Sequence, residues 1–355
     1  MMKKILAAAI VSAFAAPAFA ATANVDVYGQ FRGSVDFVDA DGAANEGRTR
    51  VSSNNSRIGF KGAEDLGGGL SAIWQWEYAF QLDQQGATQP QTATDSVGGN
   101  SYRNTFVGLS SKTLGALTLG TQESPLKTST GPLAVFGDTL ADYRSVFTKL
   151  STRSDNSILY TSPDMGGLTL QAMYGAQNEA GNGTLSDPTF YALSGVYKNG
   201  PLYATLAYQD AKAVSSTNVS SNTKAWRAGV GYTFGNTKLG LAYENNDAES
   251  AAGVTTNDGS AWYLSVAHKM GNVTLNAAYT DRDEYTSGAN NGAQQYTVGA
   301  EYALSKRTGV YALYTKVSND TNGTNGIGPS TGIATVSTVA GGDASGLSLG
   351  VNHSF

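Results

Sequence analysis

Apolar and polar residues alternate with a period of two along most of this chain. In "NVDVYGQFRGSVDF", residues 24–37, Val25, Val27, Phe31, Val35 and Phe37 share one face. Asp26, Gln30, Arg32, Ser34 and Asp36 share the other. Successive strand side chains point to opposite faces, so this stretch predicts a strand that is apolar on one side and polar on the other. The pattern recurs in "LTLQAMY", "LYATLAY", "KLGLAY", "VTLNAAY" and "GVYALY", which end at Tyr174, Tyr208, Tyr243, Tyr279 and Tyr314, in steps of 34, 35, 36 and 35 residues. A fixed period of that length is an internal repeat. Helical repeats can have similar lengths, but the period-two pattern and the β-branched, aromatic and glycine content argue for strands.

Strands of opposite sense lie between these: "FYALSGVY", "AWRAGVGYTF", "AWYLSVAHKM" and "YTVGAEYAL". Each runs into a short polar turn, at 198–200, 235–236, 271–272 and 305–307. Asn-Gly and Gly-Asn are hairpin signals. The other strand ends are joined by long segments rich in Ser, Thr, Asn, Asp and Gly, such as 210–223, 245–259 and 318–345. Short turns on one side, long loops on the other and aromatics at both ends of each apolar face are the signature of a transmembrane β-barrel. Lipid offers no hydrogen-bond partners, and a closed barrel pairs every backbone group.

Sixteen strands are expected, at 24–38, 50–63, 70–80, 101–111, 115–122, 154–162, 167–175, 189–198, 201–209, 224–234, 237–245, 260–270, 273–281, 293–304, 308–317 and 345–355. The predicted fold is all-β, a 16-stranded antiparallel transmembrane barrel, wide enough for an aqueous channel. A soluble sandwich or repeat adhesin also alternates, but does not require one-sided long loops. The last stretch, "LGVNHSF", must pair with the strand near Val25 to close the barrel. Phe355 then joins the aromatic girdle on the short-turn side, and His353 is polar on an apolar face.

Residues 1–20 have a different pattern. Lys3 and Lys4 precede an apolar run, Ile5 to Ala20, that ends in Ala-Phe-Ala. This predicts a secretory signal peptide cleaved after Ala20, leaving 21–355 as the barrel domain. The run is shorter than the roughly 20 residues a spanning helix needs. Cysteine is absent, so an exported chain must rely on hydrogen bonding or core packing. Charged residues are 14%, below the roughly 25% of soluble domains. Without Lys3 and Lys4 the chain has 21 basic and 28 acidic residues, a formal charge of −7, which argues against a nucleic-acid partner. No cofactor is expected. "DADG" at 39–42 has a calcium-loop flavour, but Phe37 stands where the first ligand would be. No phosphate loop is present, and Asn54-Asn55-Ser56 fits a glycosylation pattern only as a chance match.

Several stretches resemble the trimeric general porins of Gram-negative outer membranes, especially the neisserial and β-proteobacterial branch. They are "VYGQFRGSVDF", "SRIGFKGAEDLGGGLSAIWQWE" at 56–77, "RSDNSILYTSPDMGGLTLQAMYG" at 153–175, "YALSKRTGVYALY" at 302–314 and "GLSLGVNHSF". The resemblance implies a sixteen-stranded barrel, a homotrimer, and a third loop folded into the lumen. It also implies a setting of outer-membrane lipids and lipopolysaccharide, and a terminal Phe355 read by the barrel-assembly machinery. Two departures stand out. Asn352 occupies a place where relatives often carry Arg, and "PLAVFGD" at 132–138 lacks the Glu of the enterobacterial loop motif.

A pore acts through its narrowest part. Strand parity puts Arg32, Arg57, Lys61, Arg153 and Arg227 on inward faces, with the acids Asp36, Glu77, Glu244 and Glu301; the parity of Arg103 is ambiguous. The segment 122–153 is unusually long for a loop. Within it, Leu133, Phe136, Leu140 and Phe147 are spaced as on one side of a short helix, with Asp138 and Asp142 four apart on one face. This segment is the expected constriction loop, with Glu123, Asp138 and Asp142 facing Arg32, Arg57, Lys61 and Arg153. A solvated outer loop is the alternative. The expected function is passive diffusion of small hydrophilic solutes and ions. A sugar-selective channel would need lumenal aromatics, whereas most here have lipid-side parity. An outer-membrane enzyme would need a positioned base, and neither His268 nor His353 has inward parity. Anion or cation preference does not follow from net charge.

Overall fold

The computed structural model describes residues 24–42, 47–83, 101–147, 150, 153–176, 189–214, 220–250, 254–286, 288–328, 336 and 338–355. The expected signal peptide, 1–20, lies outside them. The staves are β1 (Asn24–Ala40), β2 (Arg48–Ser53 continued by Arg57–Gly67), β3 (Leu70–Ala79), β4 (Ser101–Tyr102 continued by Thr105–Ser111), β5 (Gly115–Glu123), β6 (Arg153–Thr161), β7 (Leu168–Ala176) and β8 (Thr189–Asn199). They continue as β9 (Leu202–Val214), β10 (Ser220–Phe234), β11 (Thr237–Glu249), β12 (Thr255–Met270), β13 (Val273–Arg282), β14 (Ala293–Ala303), β15 (Thr308–Asn319) and β16 (Ala344–Ser354). Each pairs antiparallel with its neighbours, and β16 returns to β1 with Phe31 opposite His353 and Val35 opposite Leu349. The barrel is closed, with sixteen staves.

Several strands run past the expected ends on the long-loop side. Residues 210–214 and 220–223 belong to β9 and β10 rather than to a loop. Alternation marks only the part of a strand whose outer face meets lipid. Above that level the outer face is polar and the pattern is lost, while the ladder continues. The outer face carries Leu206, Val230, Leu264 and Val298, all more than one-third exposed, as lipid-facing residues must be. Aromatic pairs such as Trp226–Tyr243 and Tyr279–Tyr296, with ring centroids 5.0 Å apart, band it on the long-loop side.

On the short-turn side Phe355 closes the seam. Its N–H donates to Gly29 O at 3.1 Å and its carbonyl accepts from Gly29 N at 3.2 Å. The ring covers Gly29, where a Cβ would lie 2.5 Å from it, and sits 5.8 Å from the Phe31 ring. His353 is paired rather than bare, with Nδ1 2.9 Å from Thr308 Oγ1; His268 does the same with Thr237 at 2.8 Å. Asn54 is buried and its Nδ2 donates to Ser34 Oγ, so it is no surface acceptor. The carboxylates of Asp39 and Asp41 accept from Gly47 N and Asp343 N, bracing the long-loop rim.

Candidate functional site

Two staves are broken, and the ladder between a further pair slips register. In β2 the break is Asn54–Ser56, with Asn55 at φ 63°. Arg32 N donates to Ser56 Oγ and Asn54 N to Arg32 O, both at 2.9 Å, so β1 spans the gap. The break shifts parity by one, which keeps both Val51 and Ile58 on the outer face. In β4 the break is Arg103–Asn104, where Arg103 N donates to Glu77 O at 2.9 Å. Between β5 and β6 the register slips near Gly120/Gln122, opposite Asn156 at φ 49°. Bulges re-aim side chains, and here they turn a group of charged residues inward. Arg103 belongs to that group. Its parity is unreadable in the sequence because the strand is broken there.

The segment 124–152 follows β5. Ser124 caps helix α1 (Pro125–Ser129), its Oγ accepting from Lys127 N at 3.2 Å, with Pro125 at a position that needs no N–H. A 3₁₀ turn, Gly131–Leu133, follows, and later a single turn α2 (Arg144–Phe147). The expected helix through Leu133, Phe136, Leu140 and Phe147 is absent. Asp138, at φ 56°, has left-handed backbone that breaks it. The four apolar residues are all buried, in two clusters rather than along one helical face. Phe136 and Leu140 pack with Val38, Leu313 and Val317; Leu133 and Phe147 pack with Ala242, Ala261 and Tyr263. Each such side chain contributes about 1.5–3 kcal/mol by leaving water.

Small inward residues of β10–β16, Ala242, Ala261, Gly231 and Gly346 among them, make room for these side chains. A Cβ on Gly231 would lie 2.8 Å from Leu133 and one on Gly346 2.7 Å from Leu140, so glycine is what lets the segment lie so close to the wall. Polar ties reinforce the contact. Ser265 Oγ donates to Leu133 O at 2.8 Å, and Tyr263 OH accepts from Val135 N at 3.2 Å. Arg227 is fully buried beneath the segment. It pairs with Glu244, donates to Leu126 O at 2.9 Å and Thr130 Oγ1 at 3.2 Å, and covers the Phe147 ring. Arg227 thus has the inward parity expected of it, but the segment covers it, so it holds the segment down rather than lining open pore.

The opposite edge of the segment meets β1–β6 in a continuous net of ten charges. Asp138 Oδ2 lies 3.7 Å from Arg32 Nη1 and 3.9 Å from Arg57 Nη1, and Arg32 Nη2 donates to Gly137 O at 3.2 Å. Arg57 Nε is 3.5 Å from Glu77, which also receives Tyr28 OH at 3.0 Å and Arg103 Nε. Arg103 Nη1 donates to Asn55 Oδ1 at 2.7 Å, and its Nη2 reaches to 3.6 Å from Glu123. Glu123 collects Lys127 at 3.3 Å and Arg153 at 3.2 Å. Arg144 joins Asp138 at 2.9 Å to Asp142.

Asp142 departs from expectation. It is fully buried and, among the described residues, pairs with Arg144 of its own segment rather than with a wall arginine. Its carboxylate accepts from Asp138 N at 2.9 Å and Arg144 N at 3.0 Å, fixing the turn. Lys61 lies on the inward face but outside the net, its Nζ 5.3 Å from the Tyr28 ring centroid. Burial alone would raise the Asp138 pKa, but Arg144, then Arg32 and Arg57, hold it down at about 2. Lys127 is pushed below the usual lysine range by burial, with Glu123 opposing. Arg103, Lys127 and Arg144 were not among the expected site residues. An arginine in an interrupted apolar pattern, and the inward glycines of β10, β11 and β16, are the sequence signals that point to this site.

A family model for Gram-negative porins matches residues 7–322. Major outer membrane protein P.IB of Neisseria meningitidis serogroup B is 31% identical over 351 residues, covering 86% of this chain and 91% of that protein. The fold is similar to that of an anion-selective porin from Comamonas acidovorans, with a TM-score of 0.79 at 24% identity, covering 94% of this chain and all of the other. It is also similar to the trimer form of OmpT, an outer membrane protein of Vibrio cholerae, with a TM-score of 0.69 at 19% identity, covering 94% and 99%. A closed barrel with a lipid-compatible exterior and this breadth of likeness lead to one conclusion: the chain belongs to the Gram-negative porins.

Proposed function

We propose that this outer-membrane porin is a water-filled channel for passive diffusion of small hydrophilic solutes and ions, narrowed by segment 122–153 and favouring anions. The charge net carries the proposal. It holds six cations, Arg32, Arg57, Arg103, Lys127, Arg144 and Arg153, against four acids, Glu77, Glu123, Asp138 and Asp142. A local excess of two positive charges in a narrow passage outweighs the chain's overall negative charge, because low-dielectric walls focus the field. Arg57, Glu123 and Asp138, each more than one-fifth exposed, are the side chains best placed to meet a passing ion.

Asp138→Asn tests the site. A unit charge about 6 Å from an ion in water is worth roughly 0.7 kcal/mol, with opposite sign for anion and cation, so the variant is expected to raise the anion:cation permeability ratio about tenfold. The zero-current potential in a salt gradient reads this, and an unchanged potential contradicts the role of Asp138. The difference between wild type and variant has a definite pH dependence. Asp138 is depressed to about 2, so it stays ionised at neutral and mildly acid pH. The difference should hold down to about pH 4 and close as pH falls through the folded value.

The chain acts as a homotrimer in outer-membrane lipid and lipopolysaccharide, a reading supported by family membership and the aromatic bands. Phe355 serves as the signal for the barrel-assembly machinery. Deleting it should cut the yield of assembled barrels while leaving the unit conductance of those that form unchanged. Normal yield in outer-membrane fractions would remove that role.

A further inference from the structure

A second polar feature lies in the lumen on the long-loop side, away from the charge net. It is a pocket of about 390 Å³ between the ends of β10–β13 and residues 291 and 322–325. Its lining includes Asn246, Asn291, Asn322 and Asn325, with Arg282 and Tyr285. Arg282 is 5% exposed. Its Nη1 donates to Asn325 Oδ1 at 2.9 Å and its Nη2 to Asn291 O at 2.6 Å, while Nε has no hydrogen-bond partner among the described residues. The guanidinium lies over the Tyr285 ring, 4.7 Å from its centroid.

Every other arginine of the lumen described above has a carboxylate within 4.0 Å; Arg282 has none among the described residues. Asp320 acts on its charge only from a distance. A buried cation normally needs a paired anion, and a guanidinium with five donors suits a planar oxyanion. Neutral asparagine amides, with Thr223 and Thr324, supply most of the other polar groups of the lining and match hydroxyl groups, which both donate and accept. A pocket this size is in the range of small-molecule sites, and a halide ion would leave most of it empty.

We propose that this pocket is a binding site for a small hydroxylated carboxylate on its way to the constriction, with Arg282 as the carboxylate anchor and Asn246 among the hydroxyl contacts. The proposal rests on the channel reading above. Sodium gluconate serves as the probe. It is titrated on the long-loop side of channels in planar bilayers at constant chloride, with binding read from saturable current fluctuations, and in parallel by calorimetry on the detergent-solubilised protein.

Wild type should saturate by both readouts, with glucose producing no saturable response. Arg282→Gln should weaken gluconate by at least roughly tenfold, as expected when a hydrogen bond to a charged group is lost. Asn246→Leu leaves every hydrogen bond of Arg282 in place and should weaken gluconate about fivefold, the effect of one neutral hydrogen bond. A non-saturating response, equal affinity in Arg282→Gln, or an equal response to glucose would overturn the site. Chloride conduction without gluconate binding rejects the pocket and leaves the channel standing; gluconate binding without chloride conduction does the reverse.

Discussion

With Arg32 and Arg57 both replaced by glutamine, the channel is expected to lose its preference for anions. These two residues form the wall side of the contact with Asp138. Removing them takes the net from six cations and four acids to an even balance. At about 6 Å each charge is worth roughly 0.7 kcal/mol, with opposite sign for anion and cation, so the pair should change the permeability ratio about a hundredfold, opposite in direction to Asp138→Asn. The effect belongs to a screened interaction. It should be largest near 0.1 M salt, where the screening length is about 10 Å, and shrink towards 1 M. A permeability ratio indifferent to both substitutions would mean that ions pass elsewhere.

Arg227→Met is expected to unseat the inner segment rather than alter charge at the pore. Arg227 holds Leu126 O and Thr130 Oγ1 while pairing with Glu244, all in a fully buried setting. Removing one partner of a buried pair costs about 3–5 kcal/mol, because the other charge is left uncompensated. The segment's seat is the element able to yield, since the staves around it are fixed by continuous ladders. Single-channel records should show larger, fluctuating conductance in place of one steady level. Arg227→Met combined with Glu244→Gln leaves no unpaired charge and should recover much of the steadiness. A steady wild-type level in the single variant would show that the apolar seat alone holds the segment.

The barrel is legible in the sequence because a lipid-facing strand must alternate, and sixteen such stretches can be counted. Strand ends are less legible. The part of β9 beyond Gln209 and of β10 before Lys224 stands clear of the apolar band, so no alternation marks it. The site is legible where strands are unbroken. Arg32 and Arg57 follow from parity and lie where parity puts them. Arg103 does not, because the break in β4 erases the register on which parity depends. The inner segment is the hardest part. Its apolar spacing imitates a helix, yet Leu133 and Phe136 answer to different glycines on the wall, Gly231 and Gly299. Tertiary fit decides that conformation, and Asp142 is spent on capping a turn rather than on the pore.

Single-channel recording of the purified protein in planar bilayers under a tenfold potassium chloride gradient is the most direct test. The expected record is steady conductance that closes in three equal steps, with a reversal potential displaced towards that of chloride. Failure to conduct, or a reversal potential displaced towards that of potassium, would contradict an anion-favouring porin built around this charge net.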